Sequence, residues 1–295
     1  MILVTSAYGN QGHLLLPKLV AAGLHVRASV QSEESAERVR ALGASEVILG
    51  NIADPEVLTR AVDGVGAIYH VGPTAHPLER EIGFAIVDEA RKQGVQHFVF
   101  SSVLHAITTD LVQHEIKRDV EEHLLSSGLE FTILQPSNYM LPLKLRPVFE
   151  EGVFQLSWAL GRRQSLVDLG DVTDVAAKVL IEGERHYAAT YELVSEGRYT
   201  AYDLGRIISG VLGHDIAVEE IDGDTYLRAF FGPELDDGGF SHQIKVFRAI
   251  TARYSSHDFI GNPNVLRWLL GLEPTTFEQF VRDQYRQFVQ ATGRT

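Results

Sequence analysis

Ser6, Gly9 and Gly12 fall three residues apart near the start of the chain, with an apolar run before them and an amphipathic stretch after. Small residues let a backbone come close to a ligand, and a helix that begins at such a turn aims unpaired N–H groups and the positive end of its dipole at one point. That chemistry suits a pyrophosphate and predicts a dinucleotide site. The spacing is G-x-x-G-x-x-G with its first glycine replaced by serine, whereas the commoner dinucleotide fingerprint is G-x-G-x-x-G. An ordinary strand-to-helix turn without a ligand is the competing reading.

The elements that must position this turn follow from the pattern around it. Ile2 to Val4 is too short for a helix and reads as a buried parallel strand, while Leu14, Leu15, Leu19 and Val20 put one helical face on a sheet. Strands at 25–30, 46–49, 67–71, 98–101 and 131–134 then alternate with helices at 36–42, from Asp54-Pro55 onward, at 80–93 and at 113–126. Strict alternation of this kind predicts an α/β fold, a Rossmann-type doubly wound parallel sheet with helices on both faces and ligands at the strand C-termini. Beyond Pro136 the rhythm breaks. Residues 139–164 carry few periodic signals, and 165–195 read as one more strand, helix and strand returning to the sheet. Residues 196–295 read as a smaller substrate-side lobe, with helices near 203–212 and 278–289 joined by a stretch rich in Gly, Asp and Pro. The expected domains are 1–150 for the dinucleotide and 196–295, with help from 139–164, for the substrate.

Composition narrows the chemistry. A formal net charge of −13 with no basic run speaks against a nucleic-acid partner. The absence of cysteine removes disulfides, thiolate nucleophiles and Cys-ligated metals. No apolar run is long enough for a membrane span, and no leader-like segment precedes the first strand, so a cytoplasmic protein acting on a small molecule is expected. Neither H-E-x-x-H, nor a Walker loop, nor G-x-S-x-G occurs, and His70 and His76 lack a third ligand, so no metal is expected.

Four stretches together resemble the NmrA-like branch of the atypical short-chain dehydrogenases/reductases: VTSAYGNQG, HFVFSSV, EFTILQPSNYM and GDVTDVAA. The resemblance covers most of the chain. It implies a Rossmann domain that binds NADP or NAD and a small C-terminal substrate lobe. Members of the branch include reductases of quinones, phenylpropanoids and isoflavonoids, and proteins that bind the nucleotide as redox sensors without turnover. Carried over by position, Thr5, Tyr8, Asn10, Gln11 and Gly12 would line the pyrophosphate and Asn51 would lie beside the adenine. Gly72 and Pro73 would back the nicotinamide ribose, Pro136 and Tyr139 would lie near the nicotinamide amide, and Ser101 and Lys117 complete the cofactor-binding set.

Two departures from that pattern matter. Gln31 stands where the branch commonly has an arginine that grips the 2′-phosphate, and Glu33 and Glu34 beside it would accept hydrogen bonds from a free ribose hydroxyl. Arg27 in the same strand and Arg38 on the next helix are the remaining cations, so the choice between NADP and NAD stays open. The second departure concerns proton transfer. Standard members use Tyr-x-x-x-Lys, yet Gln113 stands four residues before Lys117, and an amide cannot donate a proton near neutral pH. Because histidine as a residue type titrates near neutrality, His105, just past the Ser101-Ser102 strand end, and His114 are the candidate replacements. Tyr139 could donate a phenolic hydrogen bond. Trp158, Phe230 and Phe231 read as walls of an apolar pocket or as core, Glu121-Glu122 and Asp236-Asp237 as solvated charge, and Asp171 and Asp174 as helix caps. The leading expectation is an NAD(P)H-dependent reductase that passes hydride to an apolar or aromatic carbonyl, quinone or enone without a catalytic tyrosine. The alternatives are a non-catalytic nucleotide sensor with a protein partner and a redox-neutral isomerase or lyase.

Overall fold

Leu3, Val4, Val26, Ala28, Ile68, Tyr69, Phe98 and Val99 are completely buried, as strands covered on both faces require. A computed structural model describes residues 1–108, 110–231 and 240–293, the side chains of 229–231 excepted. In chain order it shows β1 Ile2–Val4, α1 Gly12–Ala21, β2 Val26–Val30, α2 Glu33–Ala41, β3 Glu46–Leu49, α3 Pro55–Val62, β4 Ala67–Val71, α4 Glu79–Lys92, β5 His97–Ser101, α5 Val112–Leu125 and β6 Phe131–Pro136. Next come β7 Asn138–Tyr139, α6 Pro142–Glu151, β8 Val153–Leu156, β9 Leu166–Val167, α7 Leu169–Glu182 and β10 Ala189–Leu193. The last elements are α8 Ala201–Leu212, β11 Ala217–Glu220, α9 Gly223–Phe231, α10 Ser241–Ser256, α11 Asn264–Leu270 and α12 Phe277–Thr292.

The chain divides into two compact units. The first holds Met1–Thr109, Gln113–Pro136 and Leu169–Leu193. Its seven strands lie in the order β10-β6-β5-β4-β1-β2-β3, and every pairing is parallel. The winding direction reverses between β1 and β4, which opens a crevice at their C-terminal ends. Local sequence sets the helix starts. The Ser32 side chain caps α2, and Asp54 caps α3, whose first residue is Pro55.

The second unit holds Asp110–Val112, Ser137–Asp168 and Val194–Thr295. It contains two short parallel ribbons, β8 with β11 and β7 with β9. Thr200 with Asp203 and Thr276 with Gln279 form capping boxes that start α8 and α12. One reading is corrected here. Leu166–Val167 pairs with Asn138–Tyr139 and not with the seven-stranded sheet, so only α7 and β10 make the return pass. The stretch 139–164, thin in periodic signal, forms a helix begun by Pro142 and ended at Gly152, whose φ is +76°. Among the described residues no helix is long and apolar enough to cross a membrane.

Candidate functional site

The turn after β1 has the geometry its spacing calls for. Ser6, in the first-glycine position, holds a left-handed φ of +48°, and its hydroxyl donates to the Val71 carbonyl at 3.1 Å. The side chain thus offsets backbone strain that glycine would avoid. Thr5 ties the same turn to β4: its Oγ1 accepts from the Val71 N–H at 2.9 Å and lies 3.0 Å from His70 Nδ1. His70 is held neutral, its pKa pushed down to about 3 by burial and secondarily by the Lys117 charge. A methyl group on Gly12 would lie 2.6 Å from the backbone of Ala7. Helix α1 therefore packs against the turn as only glycine allows. No side chain caps α1 at Gln11, and its first turn carries no acid.

This turn borders an open cleft at the C-terminal ends of β1 to β4, lined by Thr5, Ser6, Tyr8, Gly9, Ser29, Val30, Gln31, Ser35, Gly50, Ile52, His70, Val71 and Pro73. None of these is a carboxylate, in a chain whose net charge is −13. A polyanion therefore meets donors and uncharged groups there. Arg38 lies beside the cleft, folded back so that a guanidinium N–H donates to the Tyr8 hydroxyl at 2.7 Å while another holds Glu34 at 2.9 Å. Arg27 turns away. It pairs with Glu46 and donates to the carbonyls of Arg60, Ala61 and Asp63.

Several carried-over residues have their side chains engaged elsewhere. Gln11 is 4% exposed and exchanges hydrogen bonds with Ser101, and it accepts one from the Tyr69 hydroxyl, so this trio braces the start of α1 against β4 and β5. The Asn51 side chain accepts from the N–H of Ala53, while its neighbours Gly50 and Ile52 line the cleft. Asn10 is exposed beside the turn. Lys117 is buried, with Nζ 2.8 Å from Glu79 Oε1, and both atoms lie 3.0 Å from where a methyl on Gly72 would be. The ion pair underlies the Gly72-Pro73 loop. Pro136 ends β6, and its carbonyl accepts from Leu104.

The proton-donor candidates separate by burial. His114 is completely buried, with Nδ1 3.0 Å from the His105 carbonyl, which makes it a brace for that loop. His105 has a side chain 38% exposed, lies 3.8 Å from Glu192 and holds a left-handed φ of +56°. Tyr139 belongs to the second unit, where it lines an apolar cavity with Trp158. The side chains of Phe230 and Phe231 and the pair Asp236-Asp237 lie outside the described residues. Glu121 is not simply solvated. Gln135 donates to it at 2.8 Å, and burial pushes its carboxyl pKa up. Asp171 and Asp174 lie within α7 rather than before it, and Asp174 pairs with Lys18. Among the described residues no group of three His, Cys, Asp or Glu side chains gathers to hold a metal.

Sequence reasoning missed Glu79 and Lys144. The signal for Glu79 was an acid in the first turn of a helix next to a glycine loop. Lys144 stood in the stretch with least periodicity.

The model of the NmrA-like family matches residues 1–281. An NAD(P)H azoreductase of Xenophilus azovorans is 26% identical over 73% of this chain and 75% of its own length. Quinone oxidoreductase 2 of Escherichia coli is 24% identical over 81% and 84%. Among solved structures, a Citrobacter triphenylmethane reductase complexed with NADP(H) superposes with a TM-score of 0.81 at 23% identity, covering 96% of this chain and all of that one. NmrA, a negative transcriptional regulator, superposes with a TM-score of 0.80 at 17% identity, covering 100% of this chain and 98% of its own.

Proposed function

This chain belongs to the NmrA-like family, and from that premise we propose that it is an NAD(P)H-dependent oxidoreductase acting on a small carbonyl, quinone or enone-type acceptor. The observation that carries the reading is the carboxylate-free cleft beside the Ser6–Gly12 turn. Gly9 keeps that wall free of side chains, Gly12 lets α1 seat close to it, and the α1 N-terminus offers its dipole to a diphosphate. Two sequence relatives carry reductase names. The reduced nicotinamide, when bound, supplies a hydride. The residues of the chain bind and orient it: Thr5 and Ser6 hold the turn to β4, and the Lys117–Glu79 pair supports the Gly72-Pro73 loop. His70 stays neutral and adds no charge. An acceptor that delocalises negative charge needs no strong acid from the protein, which suits Gln113 in the tyrosine position, and His105 is the exposed titratable group left for proton delivery.

Purified protein should bind NADPH or NADH in calorimetry and oxidise it in the presence of a quinone such as menadione. Failure to bind either nucleotide overturns the reading. Tight binding without turnover on carbonyl, quinone and enone acceptors would identify a nucleotide sensor instead, a reading favoured by the burial of His114 and the commitment of Lys117 to Glu79.

Arg38 is assigned the role that Gln31 cannot fill. It donates to Tyr8, which lines the cleft together with Gln31 and Ser35, where an adenosine ribose at the ends of β1 and β2 would place its 2′-oxygen. Arg38→Ala should weaken NADPH about tenfold, equivalent to about 1.4 kcal/mol, and leave NADH unchanged. Equal losses for both nucleotides would remove Arg38 from this role.

A further inference from the structure

The second unit contains a cavity that the dinucleotide reading does not use. It lies between Tyr139, Leu145, Phe154, Trp158, Tyr199 and Phe280. Apolar side chains dominate its wall. Its polar residues are Asn138, Tyr139 and Tyr199, together with Lys144 from α6 and Gln164 from the loop before β9, and these last two carry the argument.

Gln164 offers a buried donor without an acceptor, and the half-buried Lys144 offers an ammonium with no carboxylate beside it. Lys144 places its ammonium 5.3 Å from the centre of the Trp158 ring, and no carboxylate lines the cavity. Burial pushes its pKa down to about 8, so it remains mostly charged at neutral pH. Gln164 is 4% exposed. Its backbone is pinned between Tyr199 and Phe259, and its Oε1 accepts from Asn138 Nδ2 at 2.9 Å. Asn138 Oδ1 in turn accepts from the Tyr254 hydroxyl at 2.9 Å. That relay fixes the amide and leaves Gln164 Nε2 buried with no hydrogen-bond partner. Leaving a buried donor unpaired is costly, and burial disfavours the Lys144 charge, which the Trp158 face offsets only in part. A ligand carrying oxygen acceptors relieves both.

We propose that this cavity binds a planar aromatic molecule bearing a carboxylate, its ring among Trp158, Phe154 and Phe280 and its oxygens on Lys144 and Gln164. The aromatic wall supplies affinity through area, and the two donors supply orientation. The inference is drawn from the second unit alone, so it stands or falls separately from the dinucleotide reading.

The test is calorimetry on the full chain without nucleotide, using 2-naphthoate and its uncharged counterpart naphthalene-2-methanol. Wild type should bind the carboxylate more tightly. Lys144→Met should weaken it about tenfold or more, Lys144→Arg should retain it, and the alcohol should be indifferent to both. A second arm needs no variant. The titratable groups lining the cavity with Lys144 are Tyr139 of β7 and Tyr199 before α8, and burial pushes the Tyr199 phenol pKa up. With a lysine titrating at about 8, affinity for the carboxylate should fall about tenfold between pH 7 and pH 9, while the alcohol binds equally at both. Equal affinity for the two compounds, carboxylate binding that is flat with pH, or an undiminished Lys144→Met variant would each overturn the proposal.

Discussion

Glu79→Ala should lower the folding stability by about 3–5 kcal/mol, the usual consequence of stripping the partner from a buried charge. Glu79 is 2% exposed and Lys117 8%, and their atoms lie 2.8 Å apart. The second carboxylate oxygen accepts from the N–H of Ala75 at 3.1 Å, at a residue whose φ is +59°. Glu79 is also the first residue of α4, where the helix dipole favours an anion. One substitution therefore removes an ion pair, the acceptor for a strained loop N–H and a favourable helix-end charge. It strands the Lys117 ammonium against the Phe100 ring, 5.3 Å away. Urea unfolding followed by circular dichroism measures the loss. In thermal unfolding each kcal/mol corresponds to roughly 2–4 °C in midpoint for a chain of this size. Glu79→Leu combined with Lys117→Met should recover much of the stability, because no uncompensated charge stays behind. A single variant as stable as wild type would show that the pair is solvated and does not support the Gly72-Pro73 loop.

Gly12→Ala should abolish nucleotide binding and destabilise the fold by about 1–3 kcal/mol or more through overpacking. The added methyl would meet the Cα, carbonyl carbon and oxygen of Ala7, all at 2.6 Å. Backbone cannot swing aside as a side-chain tip can, so α1 must retreat from β1 and carry the Ser6–Gly12 turn with it. Gly210 provides the contrast. It lies inside α8, where an added methyl would meet nothing within 4 Å, and Gly210→Ala should stabilise by about 0.5–1 kcal/mol through helix propensity alone. Calorimetric titration with NADPH separates the two. Retained affinity in a folded Gly12→Ala protein would show that the turn does not hold the pyrophosphate.

The first unit was readable because its signals are local. A short apolar run, a glycine turn and a periodic helix recur in order from Ile2 to Pro136, and burial on both sheet faces leaves little choice of register. The second unit offered less. Helix α10 carries Ile244, Val246, Ile250 and Thr251, β-branched residues that favour strands locally, and only tertiary packing makes them helical. β7 and β9 are two-residue strands, too short to leave a pattern. At the candidate site, residue types that contact a ligand and types that brace the loop behind it look alike in one dimension. Gln11, Ser101, His114 and Lys117 sit at motif positions, yet their side chains point at Tyr69, at each other, at the His105 carbonyl and at Glu79. Arg38 is distant in register from Tyr8 but adjacent in space, because about one and a half turns of α2 bring it back over the turn that follows β1.

The seven-stranded sheet gains its outer strand β10 only after the chain has run through residues 137–168. During synthesis at ~5–20 residues per second, β6 stays an unprotected border for several seconds after it emerges, with its N–H and C=O groups open to another nascent chain. Any fragment cut at Pro136 keeps that exposed rim permanently. A soluble dinucleotide-binding fragment must therefore splice Leu169–Leu193 back onto the first 136 residues, not merely stop where the strand–helix rhythm does.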